Sequence, residues 1–262
     1  MNLKKAKVIK YSSETLDESN DDIAVEYPLT IRVGGEELLT MVCSPNELEE
    51  LVVGILASEG VIRRIDEIDS LSIDYSKGFA YVDLVKKSIL PTQLTKRYIG
   101  SCCGKSRQLF LYNDVKTAKT IMTRTRITVQ QCLFLMEEMQ DCSSDFQLTG
   151  GLHNAALCTN EGIVIVRSDI GRHNALDKIY GYCLKNRIAL KDKIIVFSGR
   201  ISSEILLKVS KIGIGIILSK AAPTSLALEL AEDLGITAVG FIRKDRLNVY
   251  THPDRIIMNA IG

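Results

Sequence analysis

The pattern of hydrophobic and polar positions in the first third of the chain predicts short strands. Two alternating runs, 24–33 and 37–43, flank a Gly-Gly dipeptide that is typical of a hairpin turn. Two more strands are predicted at about 70–75 and 79–85, again with a glycine-containing turn between them. Residues 11–22 are polar and are predicted to be flexible. The strands indicate a small α+β unit.

One helix is predicted inside this unit. Ser44 is the expected N-cap, Pro45 the first helical residue and Glu47 the glutamate of a capping box. The helix should continue to about Glu59. Its apolar side chains recur at helical spacing and form one face, made of Leu48, Leu51, Val52 and Leu56.

A different pattern begins near residue 153. Apolar, β-branched runs alternate with amphipathic segments, which is typical of βα units on a mostly parallel sheet. We therefore expect one sheet with helices on both faces. A second capping box, Thr128 with Gln131, predicts a preceding helix to about Met139. The predicted strands are Ile163–Val166, Ile194–Phe197, Ile214–Leu218 and Ile236–Phe241, and the predicted helices span about 173–185, 202–212 and 224–234.

Composition and charge narrow the classes of protein. Hydrophobic residues make up 46% of the 262 and charged residues 25%, as in a globular enzyme. The net charge of +1 favours neither nucleic acid nor an anionic membrane as a partner. No apolar run approaches the 18 residues of a membrane span, and no signal core follows the basic N-terminus. We expect a cytoplasmic protein with no nucleic-acid or membrane partner.

The chain has seven cysteines and three histidines. Without a Cys-x-x-Cys motif or a His/Cys cluster, we expect no bound metal. In a reducing compartment most of the cysteines should be small buried hydrophobic residues. They are Cys43, Cys102, Cys103, Cys132, Cys142, Cys158 and Cys183.

The adjacent pair Cys102-Cys103 is the exception. Small residues flank it, and Lys105 and Arg107 follow it. Positive charge favours the thiolate, which is the nucleophilic form of cysteine and could hold sulfur as a persulfide. Two unreactive cysteines in a turn are the alternative. The segment is one residue short of a Walker A loop, so a phosphate-binding loop of that type is rejected.

Three predicted strand-to-helix turns carry groups suited to anions. Because the carboxyl ends of parallel strands meet at one sheet edge, these turns should form a crevice for a phosphate-rich ligand. As an alternative, each turn could be an ordinary helix cap, and His173 could shuttle protons or simply lie on the surface. The turns span 169–178, 198–204 and 219–225, and their candidate ligand-binding residues are Arg172, His173, Ser198, Arg200, Ser202 and Ser219, with Lys220 beside them.

A cationic segment between the last two predicted strands could clasp phosphates, or could be a solvated hairpin loop. It comprises Phe241, Ile242, Arg243, Lys244, Asp245 and Arg246. His153, which follows Thr149-Gly150-Gly151, could face a ligand or serve a structural role.

Several longer motifs resemble one family. HNALDKIYG, SGRISSE, SKAAPTSLALELAE, VGFIRKDRLNVYTHPDRI, TGGLHNAAL, CSPNELEELVVGILASEG and SCCGK are similar to the formate dehydrogenase accessory sulfurtransferases of the FdhD/NarQ type. The resemblance implies an α/β fold in which residues 116–262 form a cytidine-deaminase-like three-layer α/β/α domain. A smaller N-terminal α+β domain, residues 1–115, would end in the Cys-containing loop. The zinc signature of the deaminases is missing.

The same resemblance implies sulfur transfer. Such proteins take persulfide sulfur from a cysteine desulfurase and deliver it to the bis-molybdopterin guanine dinucleotide cofactor that formate dehydrogenase needs. The resemblance also implies a homodimer that pairs through the deaminase-like domains, and a cofactor-binding role for Phe241 to Arg246. A non-catalytic chaperone for the cofactor is the alternative.

One departure from the family pattern concerns the reactive loop. Many members have Cys-Gly-x-Cys-Gly, whereas this chain has Cys102-Cys103-Gly104-Lys105-Ser106. Cys103 keeps the Cys-Gly pair, so it is the predicted sulfur carrier. Cys102 could resolve the persulfide or take the first role itself.

Overall fold

In the described part of the chain, two mixed β-sheets, a separate β-ribbon, a short two-stranded pair and several helices form an α/β fold. The computed structural model describes residues 3–12, 14–86, 97–99, 118–142 and 149–258. Within these ranges, no helix is long and apolar enough to cross a bilayer.

The chain begins with an antiparallel ribbon of β1 (Leu3–Ser12) and β2 (Thr15–Ala24). The prediction that residues 11–22 are flexible was therefore wrong. Ten cross-strand pairs form the ribbon, and the Thr15 hydroxyl donates to the Ser12 carbonyl at the turn. Regular cross-strand pairing thus forms two strands here despite the polar composition of the segment.

The N-terminal sheet has the strand order β5-β6-β3-β4-β7. The two glycines at the β3–β4 turn have φ of 58° and 87°, as the predicted hairpin requires. Strands β3 and β4 are antiparallel, and each has a parallel neighbour on its other side. The strands are β3 (Tyr27–Val33), β4 (Glu36–Cys43), β5 (Ile68–Asp74), β6 (Phe79–Leu84) and β7 (Arg97–Ile99).

Helix α1 (Leu48–Ser58) follows β4, but its start differs from the prediction. Its N-cap residue is Glu47, in the left-handed region at φ 47°, and no side chain caps the helix. Ser44 is buried instead, and its hydroxyl accepts a hydrogen bond from the Ile170 amide. The predicted capping box was wrong because Ser44 makes hydrogen bonds to Asp169 and Ile170, in a turn far away in sequence.

The C-terminal sheet has the order β10-β9-β11-β12-β13-β14. Its centre, β11-β12-β13, is parallel, while β9, β10 and β14 pair antiparallel with their neighbours. Three of its five strand pairings are therefore antiparallel, and the prediction of a mostly parallel sheet was wrong outside that centre. A two-stranded parallel pair of β8 and β15 lies apart from this sheet. The strands are β8 (Ile127–Thr128), β9 (His153–Thr159), β10 (Gly162–Asp169), β11 (Ile194–Phe197), β12 (Ile216–Ser219), β13 (Thr237–Arg243), β14 (Arg246–Val249) and β15 (Ile256–Ile257).

Helices cover both faces of this sheet, as predicted. In β11, Ile194 and Val196 pack in the same apolar cluster as α2, whereas Ile195 and Phe197 join the cluster of the other helices. The predicted capping box of Thr128 and Gln131 is confirmed at the start of α2. The helices are α2 (Val129–Asp141), α3 (Arg172–Lys185), α4 (Ser203–Ile212) and α5 (Ser225–Leu234).

Helix α1 packs closely on α3 through two glycines. A Cβ on Gly54 would lie 1.8 Å from the Asp177 carbonyl oxygen, and one on Gly181 would lie 1.8 Å from the Glu50 carbonyl oxygen. One apolar cluster continues from the N-terminal sheet through this contact to the C-terminal sheet. The predicted domain boundary, between residues 115 and 116, lies outside the described residues.

Candidate functional site

The predicted ligand-binding turns lie at one edge of the C-terminal sheet. Phe197, at the end of β11, pairs with Ser219 at the end of β12 and with Ala155 near the start of β9. Because β9 and β10 are antiparallel, Asp169 at the end of β10 lies opposite His153. The sheet therefore places the starts of α3, α4 and α5 at one edge, and His153 lies beside the turns that precede α3 and α4.

Serine hydroxyls hold these turns together. The Asn154 amide donates to Ser198 Oγ at 2.9 Å, and the Ser198 amide donates to the Asn154 carbonyl at 3.0 Å. Ser219 is fully buried: its hydroxyl donates to the Gly199 carbonyl at 2.7 Å and accepts from the Ala221 amide at 3.0 Å. Ser202 caps α4 by accepting from the Ile205 amide. Ser219 thus links the turn that follows β11 to the turn that follows β12.

A hydrogen bond holds the cationic hairpin between β13 and β14 at the same edge of the sheet. Arg243 Nη1 donates to the Lys220 carbonyl oxygen at 2.5 Å. Phe241 is exposed and has φ of 52°, while Ile242 is buried in the apolar cluster beneath α2. The predicted ligand-binding residues that are exposed here are Arg200, Phe241, Arg243, Lys244, Asp245 and Arg246.

Asp169 fixes the turn that carries Arg172 and His173. Its Oδ1 accepts from the Gly171 amide and from Asn174 Nδ2, both at 2.8 Å. Its Oδ2 accepts from the Ser44 amide at 3.0 Å and lies 2.9 Å from Lys178 Nζ. Asp169 and Lys178 are both completely buried. Sequence reasoning placed Asp169 in this turn but missed its role.

His173 and Arg172, in the first turn of α3, are half-buried. His173 Nε2 lies 3.2 Å from Glu204 Oε2 in the first turn of α4. The Glu204 carboxylate at the start of α4 therefore lies next to the turn that carries His173, a proximity that sequence spacing could not reveal.

A cavity of about 270 Å³ opens beside His153. Burial lowers the pKa of His153, and the positive charges of Arg172 and His173 lower it further. Lys220 Nζ donates to Gln140 Oε1 at 2.7 Å in the cavity wall. The residues that line the cavity are Met139, Gln140, Gly150, Gly151, Leu152, His153, Asn154, Ser198 and Lys220.

Four cysteines are poor candidates for sulfur transfer. Burial raises the pKa of Cys43, Cys132 and Cys183 to about 12 and also raises that of Cys158. Most of the cysteines were predicted to be buried, which these four confirm and Cys142 does not. Cys142 is exposed just beyond α2. Cys102 and Cys103 lie outside the described residues.

Comparison with known proteins identifies the family. A sequence profile of the FdhD/NarQ family matches residues 24–257. The chain belongs to this family. It is 56% identical over 256 residues to sulfur carrier protein FdhD of Geobacillus kaustophilus, covering 97% of each chain. The protein of the same name from Bacillus subtilis is 54% identical, over 95% of each chain.

A solved structure shares the fold. It is a crystal structure from Desulfotalea psychrophila, described as a formate dehydrogenase accessory protein. The TM-score is 0.81 at 25% sequence identity, with 98% of this chain and 100% of the other covered. The mixed α/β architecture is thus that of an FdhD relative.

Proposed function

We propose that this FdhD-family protein is a sulfurtransferase for molybdenum-cofactor maturation. It takes persulfide sulfur from a cysteine desulfurase and delivers it to bis-molybdopterin guanine dinucleotide, which formate dehydrogenase then uses. The observation that carries the proposal is its near-full-length similarity to proteins named sulfur carrier protein FdhD. The crevice at the sheet edge supports the cofactor half of the proposal.

The sulfur carrier is Cys103, with Cys102 as its neighbour. A carrier thiol must be accessible and able to ionise, and the raised pKa values of the four buried cysteines disqualify them. Lys105 and Arg107 follow Cys103 closely in sequence and favour its thiolate. Cys142, the exposed cysteine of the described residues, follows Asp141 and has no lysine or arginine within ten residues in sequence.

Loading of the carrier is a thiol exchange. The Cys103 thiolate attacks the outer sulfur of the desulfurase persulfide, and a new S–S bond forms as the old one breaks. The desulfurase cysteine leaves as a thiolate, so charge and electrons balance. The outer sulfur then resides on Cys103 as a persulfide.

The cofactor is cargo, held at the crevice through its phosphates. Arg200, Arg243, Lys244 and Arg246 are exposed there. Helices α3, α4 and α5 start at the same sheet edge, and helix N-termini favour bound anions. Arg172 and His173 supply further donors at the start of α3. Asn154, Ser198 and Ser219 keep the turns in place.

The proposal includes a cytoplasmic location, where thiols stay reduced, and a homodimer. It also includes a deaminase-like layout of the C-terminal domain. The parallel centre of the six-stranded sheet, with helices on both faces, is compatible with that layout.

Binding of GDP, a fragment of the cofactor, tests the crevice. Arg243→Ala/Arg246→Ala should weaken GDP binding more than roughly tenfold, because each charge-assisted hydrogen bond contributes about 1.5–3 kcal/mol. Arg63→Ala/Arg64→Ala removes two exposed arginines elsewhere and should leave the affinity unchanged. Calorimetric titration measures both. Equal GDP affinity for the two folded variants would remove the cationic hairpin from the proposal.

Activation of formate dehydrogenase separates the proposed enzyme from the cofactor chaperone. A chaperone needs the crevice but no thiol, so Cys103→Ala would then activate the dehydrogenase normally. A sulfurtransferase loses activation in Cys103→Ala while still binding GDP. Normal activation by the Cys102→Ala/Cys103→Ala double variant would favour the chaperone.

A further inference from the structure

Lys220 lies where three parts of the site meet. Its Nζ donates to Gln140 Oε1, near the end of α2, at 2.7 Å. Its amide donates to the Phe197 carbonyl, at the end of β11, at 3.3 Å. Its own carbonyl accepts a hydrogen bond from Arg243 Nη1 in the cationic hairpin. One residue therefore joins the cavity wall to the hairpin that is proposed to bind phosphate.

The ammonium of Lys220 is held in place by a partner that does not neutralise its charge. Gln140 Nε2 donates to the Met136 carbonyl at 3.0 Å, which leaves Oε1 of the same amide to accept from Lys220. An ammonium has three N–H donors, and this bond uses one of them. The buried Lys178 differs, because the Asp169 carboxylate and two further oxygens bind its Nζ. Within the described structure, Lys220 thus keeps a positive charge and donors for a ligand.

The cavity that Lys220 lines fits one part of a cofactor rather than the whole. Its volume is about 270 Å³, whereas a pocket for an entire small-molecule ligand has roughly 300–1,000 Å³. Met139 and Leu152 are buried and give the cavity apolar walls. His153 and Ser198 add polar groups, and the lowered pKa of His153 favours the neutral imidazole. Such walls suit the faces of a flat fused ring, and the ammonium suits an acceptor on the edge of that ring.

We propose that Lys220 is a specificity-determining residue that donates to the ring carbonyl of the bound cofactor, and that Gln140 positions its ammonium. The guanine and pterin rings of the cofactor both carry such a carbonyl. Guanine presents two acceptors, O6 and N7, on one edge, whereas adenine places an amino donor beside N7. Because an ammonium can only donate, Lys220 favours guanine over adenine. The assignment rests on the proposed function, in which the cofactor binds at this crevice, and adds the residues that recognise its ring.

Calorimetric titration of the full-length protein with GDP, inosine diphosphate (IDP) and ADP tests this recognition. The wild type should bind GDP at least about tenfold more tightly than ADP, because two ring acceptors face the ammonium. IDP, which keeps the ring carbonyl and lacks the amino group of guanine, should bind like GDP. Lys220→Met should bring the affinities for GDP and ADP to within about threefold of each other, because the donor is lost. Gln140→Leu should change the ratio in the same direction.

Two controls separate ring recognition from phosphate binding and from folding. Inorganic pyrophosphate has no ring, and Lys220→Met keeps the backbone carbonyl that holds Arg243. Lys220→Met should therefore bind pyrophosphate as the wild type does, whereas Arg243→Ala/Arg246→Ala should bind it more weakly. Lys77→Met removes an exposed lysine from the β5–β6 turn and should keep the wild-type preference for GDP.

6-Hydroxymethylpterin distinguishes the two rings that carry the carbonyl. A preference for GDP without binding of the pterin assigns the cavity to guanine. Equal affinities for GDP and ADP, with pterin binding that Lys220→Met abolishes, assign it to the pterin. Equal GDP and ADP affinities without such pterin binding would overturn the inference, as would a GDP preference that survives Lys220→Met or one in which IDP binds like ADP. Persulfide formation on Cys103 is measured separately, so sulfur transfer could stand while ring recognition fails.

Discussion

Replacement of Asp169 by asparagine tests the most highly connected buried group in the described structure around the site. Its four partners, the Ser44 and Gly171 amides, Asn174 Nδ2 and Lys178 Nζ, are all donors. An asparagine must direct its own NH₂ group at two of them, whichever way it is turned. Asp169→Asn therefore loses hydrogen bonds and also leaves Lys178 without its closest charge partner.

The loss of unfolding free energy in Asp169→Asn follows from the burial of Asp169 and Lys178. Both charges are fully buried, and removal of one member of such a pair costs about 3–5 kcal/mol. Lys178 keeps Asn46 Oδ1 and the Ser168 carbonyl, both at 3.0 Å, which places the expected loss nearer 3 kcal/mol than 5. Total stabilities of about 5–15 kcal/mol make this loss a large fraction.

Urea denaturation at neutral pH, followed by circular dichroism, measures the change. Asp192→Asn is the matched control, because it removes a carboxylate that is itself 65% exposed from its pair with Lys193, and it should cost less than about 1 kcal/mol. Asp169→Asn/Lys178→Met removes both buried charges and should cost less than the two single changes combined. If Asp169→Asn and Asp192→Asn have equal midpoints, the buried network does not stabilise the turn.

Two further predictions use the same assay. Gly54→Ala should destabilise the protein by about 3 kcal/mol, because the new Cβ would lie 1.8 Å from the Asp177 carbonyl oxygen. An alanine inside a helix ordinarily adds stability relative to glycine. An increase in stability would therefore refute the close contact of α1 and α3. His153 has a lower pKa in the folded state than the ordinary histidine value of 6.5, so as the pH falls the unfolded chain binds this proton first. The free energy of unfolding should therefore decrease as the pH falls from 6.5 to the pKa of His153 in the folded state. His153→Gln should remove that part of the pH dependence, and an unchanged pH profile would contradict the burial of the ring.

Much of the C-terminal fold could be predicted from local sequence, because its strands and helices have clear apolar periods. The predicted strand Ile194–Phe197 matches the structure residue for residue, and the capping box at Thr128 forms as expected. The sheet edge could also be predicted, because it follows from strand direction and chain order. The turns that follow β11 and β12 accordingly lie side by side.

Contacts between distant residues could not be predicted in this way. Ser44 has the local pattern of a helix cap, yet its amide binds Asp169, 125 residues away, because the fold buries both. The β1–β2 ribbon escaped prediction because its stability comes from cross-strand pairing, which composition does not encode. The cavity wall combines α2 with β9, so Gln140 and Asn154 had no sequence signal as site residues.

The central claim is that Cys103 carries persulfide sulfur. Intact-mass and peptide mass spectrometry, after incubation with a cysteine desulfurase and cysteine, measures it directly. We predict one added sulfur on Cys103, lost in Cys103→Ala and retained in Cys183→Ala, whose buried thiol has a pKa of about 12. Sulfur found on Cys102 and lost in Cys102→Ala would reverse the assignment. No added sulfur on the wild-type protein, with GDP binding intact, would contradict the account and leave a cofactor chaperone.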